Sequence, residues 1–215
     1  MEKKSLFYVV GGVLLILSAV LSLFQGAMTF AGMMYYREQS FAMIFKTGQF
    51  RYYIRSMTGM AWLQVAVIIF AGLVLMAKAF LKDAVPDIVL VGLFGVLTAF
   101  AGISFLRSFI AFFREGNFWV KSVSVCTNLL MVVAYGGMAA IILLKDSFGG
   151  FFFVPALAVA GKAFLNFVLY AIPTRLKAIM IGLVYMPFGA CLLVFVFDMV
   201  LVAALFAIGM AVKEN

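Results

Sequence analysis

Histidine is absent from this 215-residue chain, and charged residues make up only 11% of it. Roughly a quarter of the residues of an ordinary soluble domain are charged. A soluble fold of this length needs more polar groups than that to cover its surface, so the composition excludes a soluble globular protein. The absence of histidine also removes the commonest metal ligand and the commonest general acid–base group.

Other features of catalytic and metal sites are equally scarce. The sequence contains neither GxSxG nor HExxH, and the glycine pair at Gly136 and Gly137 lies inside an apolar run rather than in a phosphate-binding loop. The two cysteines, Cys126 and Cys191, also lie in apolar runs and are predicted to be core residues. We therefore expect no enzyme activity, no catalytic residue, no metal site and no cofactor.

What the sequence does contain is long apolar blocks. No charge occurs between Leu6 and Tyr36, and Asp198 is the only charge between Ala178 and Val212. A membrane-spanning helix needs about 20 apolar residues, whereas a membrane barrel shows short alternating segments, which this sequence lacks. The predicted fold class is all-α: a polytopic transmembrane helical bundle in one integral membrane domain.

The start of the chain resembles a signal peptide, with basic residues followed by an apolar core. The apolar run continues past Gln25 to Tyr36, and no small-x-small cleavage pattern closes it. An uncleaved first span is therefore expected.

A short phrase occurs twice in the chain. "SFAMIFKTGQF" at residues 40–50 returns as "SFIAFFREGNF" at residues 108–118. A fainter third copy of the repeat is "AGKAFLNF" at residues 160–167, which matches "AGISFL" at residues 101–106, just before the second phrase. Each copy has one span before it and one after it, so the predicted unit is a helical hairpin, repeated two to three times as parallel copies. The three hairpins would cover about residues 6–80, 84–144 and 150–212. The six predicted spans are 6–36, 56–77, 84–106, 122–144, 151–170 and 178–198.

The repeated phrase itself is predicted to be the turn of each hairpin. A basic residue suits a helix C-terminus, and Lys46 and Arg114 occupy that position in the two copies. Two residues later comes a glycine, Gly48 or Gly116, at the position where a left-handed cap is common. Nine lysines and arginines lie in the turn regions, whereas six lie on the opposite face together with five acidic residues. The positive-inside rule then places the turns in the cytoplasm and both termini outside. The expected location is a bacterial cell membrane.

The formal net charge of +8 is distributed beside apolar segments rather than in a separate basic domain. Anionic lipid headgroups or an acidic membrane-protein partner are therefore the expected counterparts, and nucleic acid is not. The basic turn residues predicted to form this lipid or partner surface are Arg51, Arg55, Arg114 and Lys121.

Small and polar residues form a stripe along one face of the first span: Gly11, Ser18, Ser22, Gln25, Thr29 and Gly32. Span three repeats the pattern with Gly92, Gly95, Ala99 and Gly102. Small residues let membrane helices approach closely, so the stripes predict helix packing. The alternative is that the odd-numbered helices line a shared, mildly polar interior.

Two charges fall inside predicted spans, Lys162 and Asp198. Ionisable groups inside a membrane are functional candidates by default. Alignment of the copies puts Lys162 near the cytoplasmic edge and Asp198 near the outer edge, so no direct ion pair between them is expected unless the last helix is broken. Residues 178–212 exceed the length of one span, and a seventh segment after Asp198 is the alternative to a kinked helix.

Two functions fit this sequence. The first is a permease-like or channel-like protein that moves a small neutral or lipid-like solute, without proton coupling because central charge is scarce. The second is a non-catalytic membrane subunit or scaffold of a larger complex. The residues predicted to line a pathway, or to pack, are Ser18, Ser22, Gln25, Thr29, Gln64, Asn128, Lys162, Asn166, Tyr185 and Asp198.

Overall fold

The computed structural model describes residues 3–35, 49–81, 85–114, 118–171 and 188–214. Within these ranges it describes every side chain except those of residues 27–35, 49–50, 170–171 and 188–191. These residues are almost entirely helical and contain no strand. The helices are α1 (Lys3–Tyr35), α2 (Gln49–Ser56), α3 (Gly59–Leu81), α4 (Asp87–Phe112), α5 (Phe118–Leu143), α6 (Lys145–Phe148), α7 (Val154–Ala171) and α8 (Phe188–Lys213), with a 3-10 turn at Gly149–Phe151 between α6 and α7.

Six helical segments of the described chain are long and apolar enough to cross a membrane. This finding confirms the predicted all-α transmembrane bundle of about six spans. The spans are Lys3–Gly26, Gly59–Leu81, Asp87–Phe112, Phe118–Leu143, Lys145–Leu169 and Leu192–Lys213.

The prediction was wrong about the position of the last span. It placed the span at 178–198, with a seventh segment after Asp198 as the alternative, whereas α8 continues unbroken through Asp198 to Lys213. The apolar run is longer than a bilayer requires, so hydropathy alone does not select one window within it. The predicted span ended at Asp198 because the sequence does not show that this carboxylate has a partner on another helix.

The six long helices follow one another around a closed bundle. Helix α1 packs against both α3 and α8, α4 packs against α5, and α7 packs against α5 and α8. The contact between α3 and α4 is the least extensive in this ring, and α5 also reaches α8 across the interior. The first and last helices therefore close the bundle, and its centre lies between α1, α3, α5, α7 and α8.

Glycines allow α1 to approach both of its neighbours closely. A Cβ atom added at Gly12 would lie 2.6 Å from the backbone oxygen of Gly72 on α3. A Cβ atom added at Gly11 would lie 2.8 Å from a side-chain carbon of Ile208 on α8. Glycines thus let α1 pack closely against α3 and α8 near its N-terminus. Gly11 belongs to the stripe that predicted helix packing, whereas Gly12 lies outside that stripe.

The small residues of span three behave differently from those of span one. A Cβ atom added at Gly92, Gly95 or Gly102 would meet nothing within 4 Å, and Ala99 is exposed. The prediction that this stripe packs against another helix of the same chain, or lines an interior, was therefore wrong. Cys126 is also exposed rather than in the core, whereas the side chain of Cys191 lies outside the described residues.

Polar contacts join neighbouring helices at each end of the bundle. Near the N-terminal end of α4, Lys78 forms an ion pair with Asp87 and donates a hydrogen bond of 3.0 Å to the backbone oxygen of Val85. Near the opposite end, the Nδ2 atom of Asn128 donates a hydrogen bond of 2.7 Å to the Oγ atom of Ser108. These contacts join α3 to α4 and α4 to α5.

Candidate functional site

A polar pocket lies in the centre of the bundle, between α1, α3, α5, α7 and α8. Its volume is about 230 Å³. It extends toward the end of the bundle at which α3 begins, since Tyr53 of α2 and Met57 also line it. Six residues that the sequence nominated for a pathway line this pocket together: Ser18, Ser22, Gln25, Gln64, Lys162 and Asp198.

An ion pair lies in the wall of this pocket. The Nζ atom of Lys162 on α7 donates a hydrogen bond of 2.7 Å to the Oδ1 atom of Asp198 on α8. Both residues lie within helices that are long enough to span the membrane. Removing a charge from water costs several kcal/mol, so a paired arrangement is the one expected at this depth.

The prediction that these two charges lie on opposite sides of the membrane was wrong. Its error came from ending the sixth span at Asp198, which placed the carboxylate near the outer edge. Because α8 begins at Phe188 and ends at Lys213, Asp198 lies in the half of α8 nearer its N-terminus. Helix α7 approaches that half of α8 with its central residues, so Lys162 and Asp198 meet without a break in either helix.

The two partners of the ion pair differ in exposure. The side chain of Lys162 is 19% exposed, whereas that of Asp198 is 4% exposed. Within the described part of the chain, the Oδ2 atom of Asp198 is buried and accepts no hydrogen bond. A buried carboxylate oxygen without a donor is costly, and an oxygen of this kind marks a place where a proton or a ligand donor would be stabilised.

The rest of the lining supplies hydrogen-bonding groups from α1 and α3. The hydroxyls of Ser18 and Ser22 donate hydrogen bonds of 2.7 Å to the backbone oxygens of Leu15 and Ala19. Each hydroxyl oxygen keeps acceptor capacity after it has donated its own proton. The amides of Gln25 and Gln64 add both donors and acceptors. The wall can therefore hold a polar solute by hydrogen bonds.

Aromatic and sulfur-containing side chains complete the pocket. Tyr135 on α5 is fully buried, and Met131 lies one helical turn before it. Tyr53 lies on α2, outside the spans, and burial raises the pKa of its phenol above the ordinary value of 10.0. The phenol is therefore neutral at physiological pH. Sequence reasoning missed these residues, because an aromatic residue or methionine in an apolar run carries no signal that distinguishes a pocket from a core.

Four of the nominated pathway residues do not contribute described side chains to the pocket. Asn128 instead bonds Ser108 across the α4–α5 contact, and Asn166 is half-buried on α7 away from the pocket lining. The side chain of Thr29 and the whole of Tyr185 lie outside the described residues. Helix α4 contributes nothing to the lining, so the alternative in which the odd-numbered helices share an interior was wrong.

The basic residues predicted to form a lipid or partner surface lie at the end of the bundle toward which the pocket extends. Arg51 and Arg55 are exposed one turn apart on α2, and Arg114 is exposed just beyond α4. Lys121 is half-buried, and its Nζ atom lies 3.5 Å from the backbone oxygen of Phe112. The residues Lys46, Gly48 and Gly116 of the predicted turns lie outside the described residues.

The six apolar helices define a multi-pass integral membrane protein with a polar central pocket. No protein-family model, curated protein or solved structure matches the chain.

Proposed function

We propose that this protein is a permease-like membrane protein that binds a small neutral solute in its central pocket and moves it across the bilayer. The observation that carries the proposal is the Lys162–Asp198 ion pair in the wall of a polar pocket between spanning helices. Polar and ionisable groups are expensive at membrane depth, and those that persist there commonly mark a solute or ion pathway.

A neutral solute fits the charge of the pocket. Lys162 and Asp198 neutralise each other, and the other polar groups that the described residues bring to the wall are hydroxyls, amides and phenols. A cation or an anion bound alone would leave one uncompensated charge in a region of low dielectric. The absence of histidine from the sequence supports the further expectation that the protein is not an enzyme.

The proposal includes the predicted duplication. Helices α1 and α3, α4 and α5, and α7 and α8 pack as neighbouring pairs, which is compatible with three tandem hairpins. It also includes contact of anionic headgroups with the exposed arginines of α2, since such lipids attract basic segments at the membrane surface.

Replacing Gln64 by leucine is expected to lower the rate of solute entry by about tenfold, because a lost hydrogen bond to a desolvated solute costs on the order of 1.4 kcal/mol. The rate is measured by light scattering from proteoliposomes that swell in glycerol, urea or lactate at zero membrane potential. A rate unchanged by Gln64→Leu for every solute that enters would contradict the pocket as the pathway.

Asn128→Leu is the matched control, since it replaces another intramembrane amide by the same residue. Asn128 was among the residues that the sequence nominated for a pathway, but it donates a hydrogen bond to Ser108 and does not line the pocket. We now expect Asn128→Leu to leave the rate per folded molecule unchanged and to destabilise the bundle by roughly 0.6–1.7 kcal/mol. Thermal unfolding in detergent measures this second effect.

The alternative function, a scaffold that binds a partner through its basic surface, is favoured by the exposure of Arg51 and Arg55 on α2. Under the permease proposal, the double variant Arg51→Glu/Arg55→Glu keeps the solute entry rate within about twofold, because exposed charges contribute little to the fold. Under the scaffold alternative, the wild-type protein gives no solute entry, and the same variant loses a co-purifying membrane partner. Parallel flux and affinity-purification measurements on the two proteins separate these functions.

A further inference from the structure

Resting on the proposed function, we infer that the neutral species carried is a small acid, bound as a monovalent anion on Lys162 together with one proton on the Oδ2 atom of Asp198. This inference goes against the expectation, based on the scarcity of central charge, that proton coupling is absent. That expectation treated the two intramembrane charges as distant from each other, whereas they form one pair in the pocket wall.

The unequal burial of the ion pair determines which partner takes which ligand. The Oδ2 atom of Asp198 has almost no accessible surface and no hydrogen-bond donor among the described residues. A solute atom has no room to reach this oxygen in the present packing, whereas a proton needs none. Lys162 is the more exposed partner, so the charge that a solute meets in the pocket is the ammonium group.

Electroneutrality then couples the proton to the anion. With Asp198 ionised, Lys162 is already compensated, and an added anion would leave a net negative charge inside the bundle. With Asp198 protonated, Lys162 loses its compensating charge, and a monovalent anion restores neutrality. Each ligand therefore stabilises the binding of the other, because an uncompensated charge at this depth is costly.

The titratable groups that line the pocket together with Asp198 leave this carboxylate as the proton acceptor. Helix α7 contributes Lys162, helix α5 contributes Tyr135, and α2 contributes Tyr53. The described pocket-lining residues of α1 and α3 carry hydroxyl, amide or apolar groups. Both tyrosines are neutral phenols at physiological pH. Among the described residues that line the pocket, Asp198 is the one carboxylate.

The binding step exchanges one interaction for two. A proton from the aqueous phase binds the Oδ2 atom, and the hydrogen bond between the Oδ1 atom and the Nζ atom of Lys162 breaks. The ammonium group then donates to the incoming anion. No covalent bond other than the carboxyl O–H forms, and the sum of the charges in the site stays at zero.

The test uses the full-length protein in proteoliposomes that contain a trapped pH-sensitive dye, with lactate, formate and chloride as anionic probes and glycerol and urea as neutral ones. An inward gradient of a transported anion is expected to acidify the interior by about one proton for each anion. Clamping the membrane potential at zero should not change the rate, since the combined movement is uncharged. Liposomes without protein provide the passive leak of the uncharged acids, which is subtracted.

Two variants separate the roles of the pair. Asp198→Asn mimics the protonated carboxyl, so anion binding should persist. The variant should also lose the weakening of anion binding with rising pH, up to about tenfold for each pH unit, that proton coupling gives the wild type. Lys162→Met should weaken anion binding by tenfold or more. Asp87→Asn, which removes the carboxylate of the ion pair outside the pocket, should leave both properties unchanged.

Isothermal titration of the wild-type protein with lactate, in buffers of different ionisation enthalpy, measures the number of protons taken up on binding. This measurement tests the inference even if a variant does not fold. About one proton taken up per lactate bound supports the inference. Binding of lactate with no proton taken up overturns it and contradicts the neutrality of the proposed solute as well. Entry of glycerol or urea through the pocket without entry of any anion overturns the inference and leaves the proposed function standing. Entry of no probe, with no binding, overturns the proposed function itself.

Discussion

Replacing Lys162 by alanine is expected to destabilise the protein by about 3–5 kcal/mol, because the change leaves a buried carboxylate without its counter-charge. Asp198 is 4% exposed, so water does not compensate the lost ammonium group. The Oδ2 atom already lacks a donor among the described residues, and the variant would leave the Oδ1 atom in the same state. The free energy of unfolding in detergent micelles at neutral pH measures this effect.

The double variant Lys162→Met/Asp198→Leu is the matched control for that experiment. Apolar residues of similar size often replace a whole buried ion pair with little loss of stability, or with a gain. We therefore expect the double variant to unfold much closer to the wild type than Lys162→Ala does. Equal losses in the two proteins would mean that packing, and not the unpaired charge, accounts for the effect.

Replacing Gly12 by alanine is expected to destabilise the bundle by about 1–3 kcal/mol, the range that overpacking commonly costs. The added Cβ atom would lie 2.6 Å from the backbone oxygen of Gly72 and 2.8 Å from a side-chain carbon of Met76. The side chain of Met76 can rotate away, but the clash with the backbone of α3 can be relieved only if the helix itself moves. Thermal unfolding of the purified protein measures the loss.

Gly95→Ala is the control for the glycine substitution, because it adds the same methyl group to a transmembrane helix at a position where nothing lies within 4 Å. Alanine is favoured over glycine within a helix by roughly 0.5–1 kcal/mol. The control should therefore unfold at the wild-type temperature or slightly above it. A loss at Gly95 as large as that at Gly12 would show that the outward face of α4 is covered by something other than lipid.

The sequence was most informative where a property depends on nearby residues alone. Apolar length predicted six spanning helices, and the structure describes six. The polar residues that interrupt these helices were also recognisable, and six of them line one pocket. Periodicity placed Ser18 and Ser22 on the same face of α1 as Gly11, because residues three, four and seven apart share a helix face.

The sequence failed where a property depends on which helix lies opposite. The stripe of span three resembles that of span one, yet a Cβ atom added at Gly11 would meet Ile208 of α8, whereas one added at Gly92 or Gly95 would meet nothing within 4 Å. Asn128 and Gln64 are both intramembrane amides, yet one joins α4 to α5 and the other lines the pocket. Composition and periodicity are the same in each comparison, and only the position of the neighbouring helix differs.

The amino-acid sequence by itself determined that this chain is a helical membrane protein of about six spans, because the cost of placing polar groups in lipid is a sum over local residues. Only the tertiary structure decided that Lys162 meets Asp198. That contact depends on which part of a long apolar run crosses the bilayer and on how two helices are rotated about their axes. Packing between distant segments sets both quantities, and a local sum of hydropathy does not contain them.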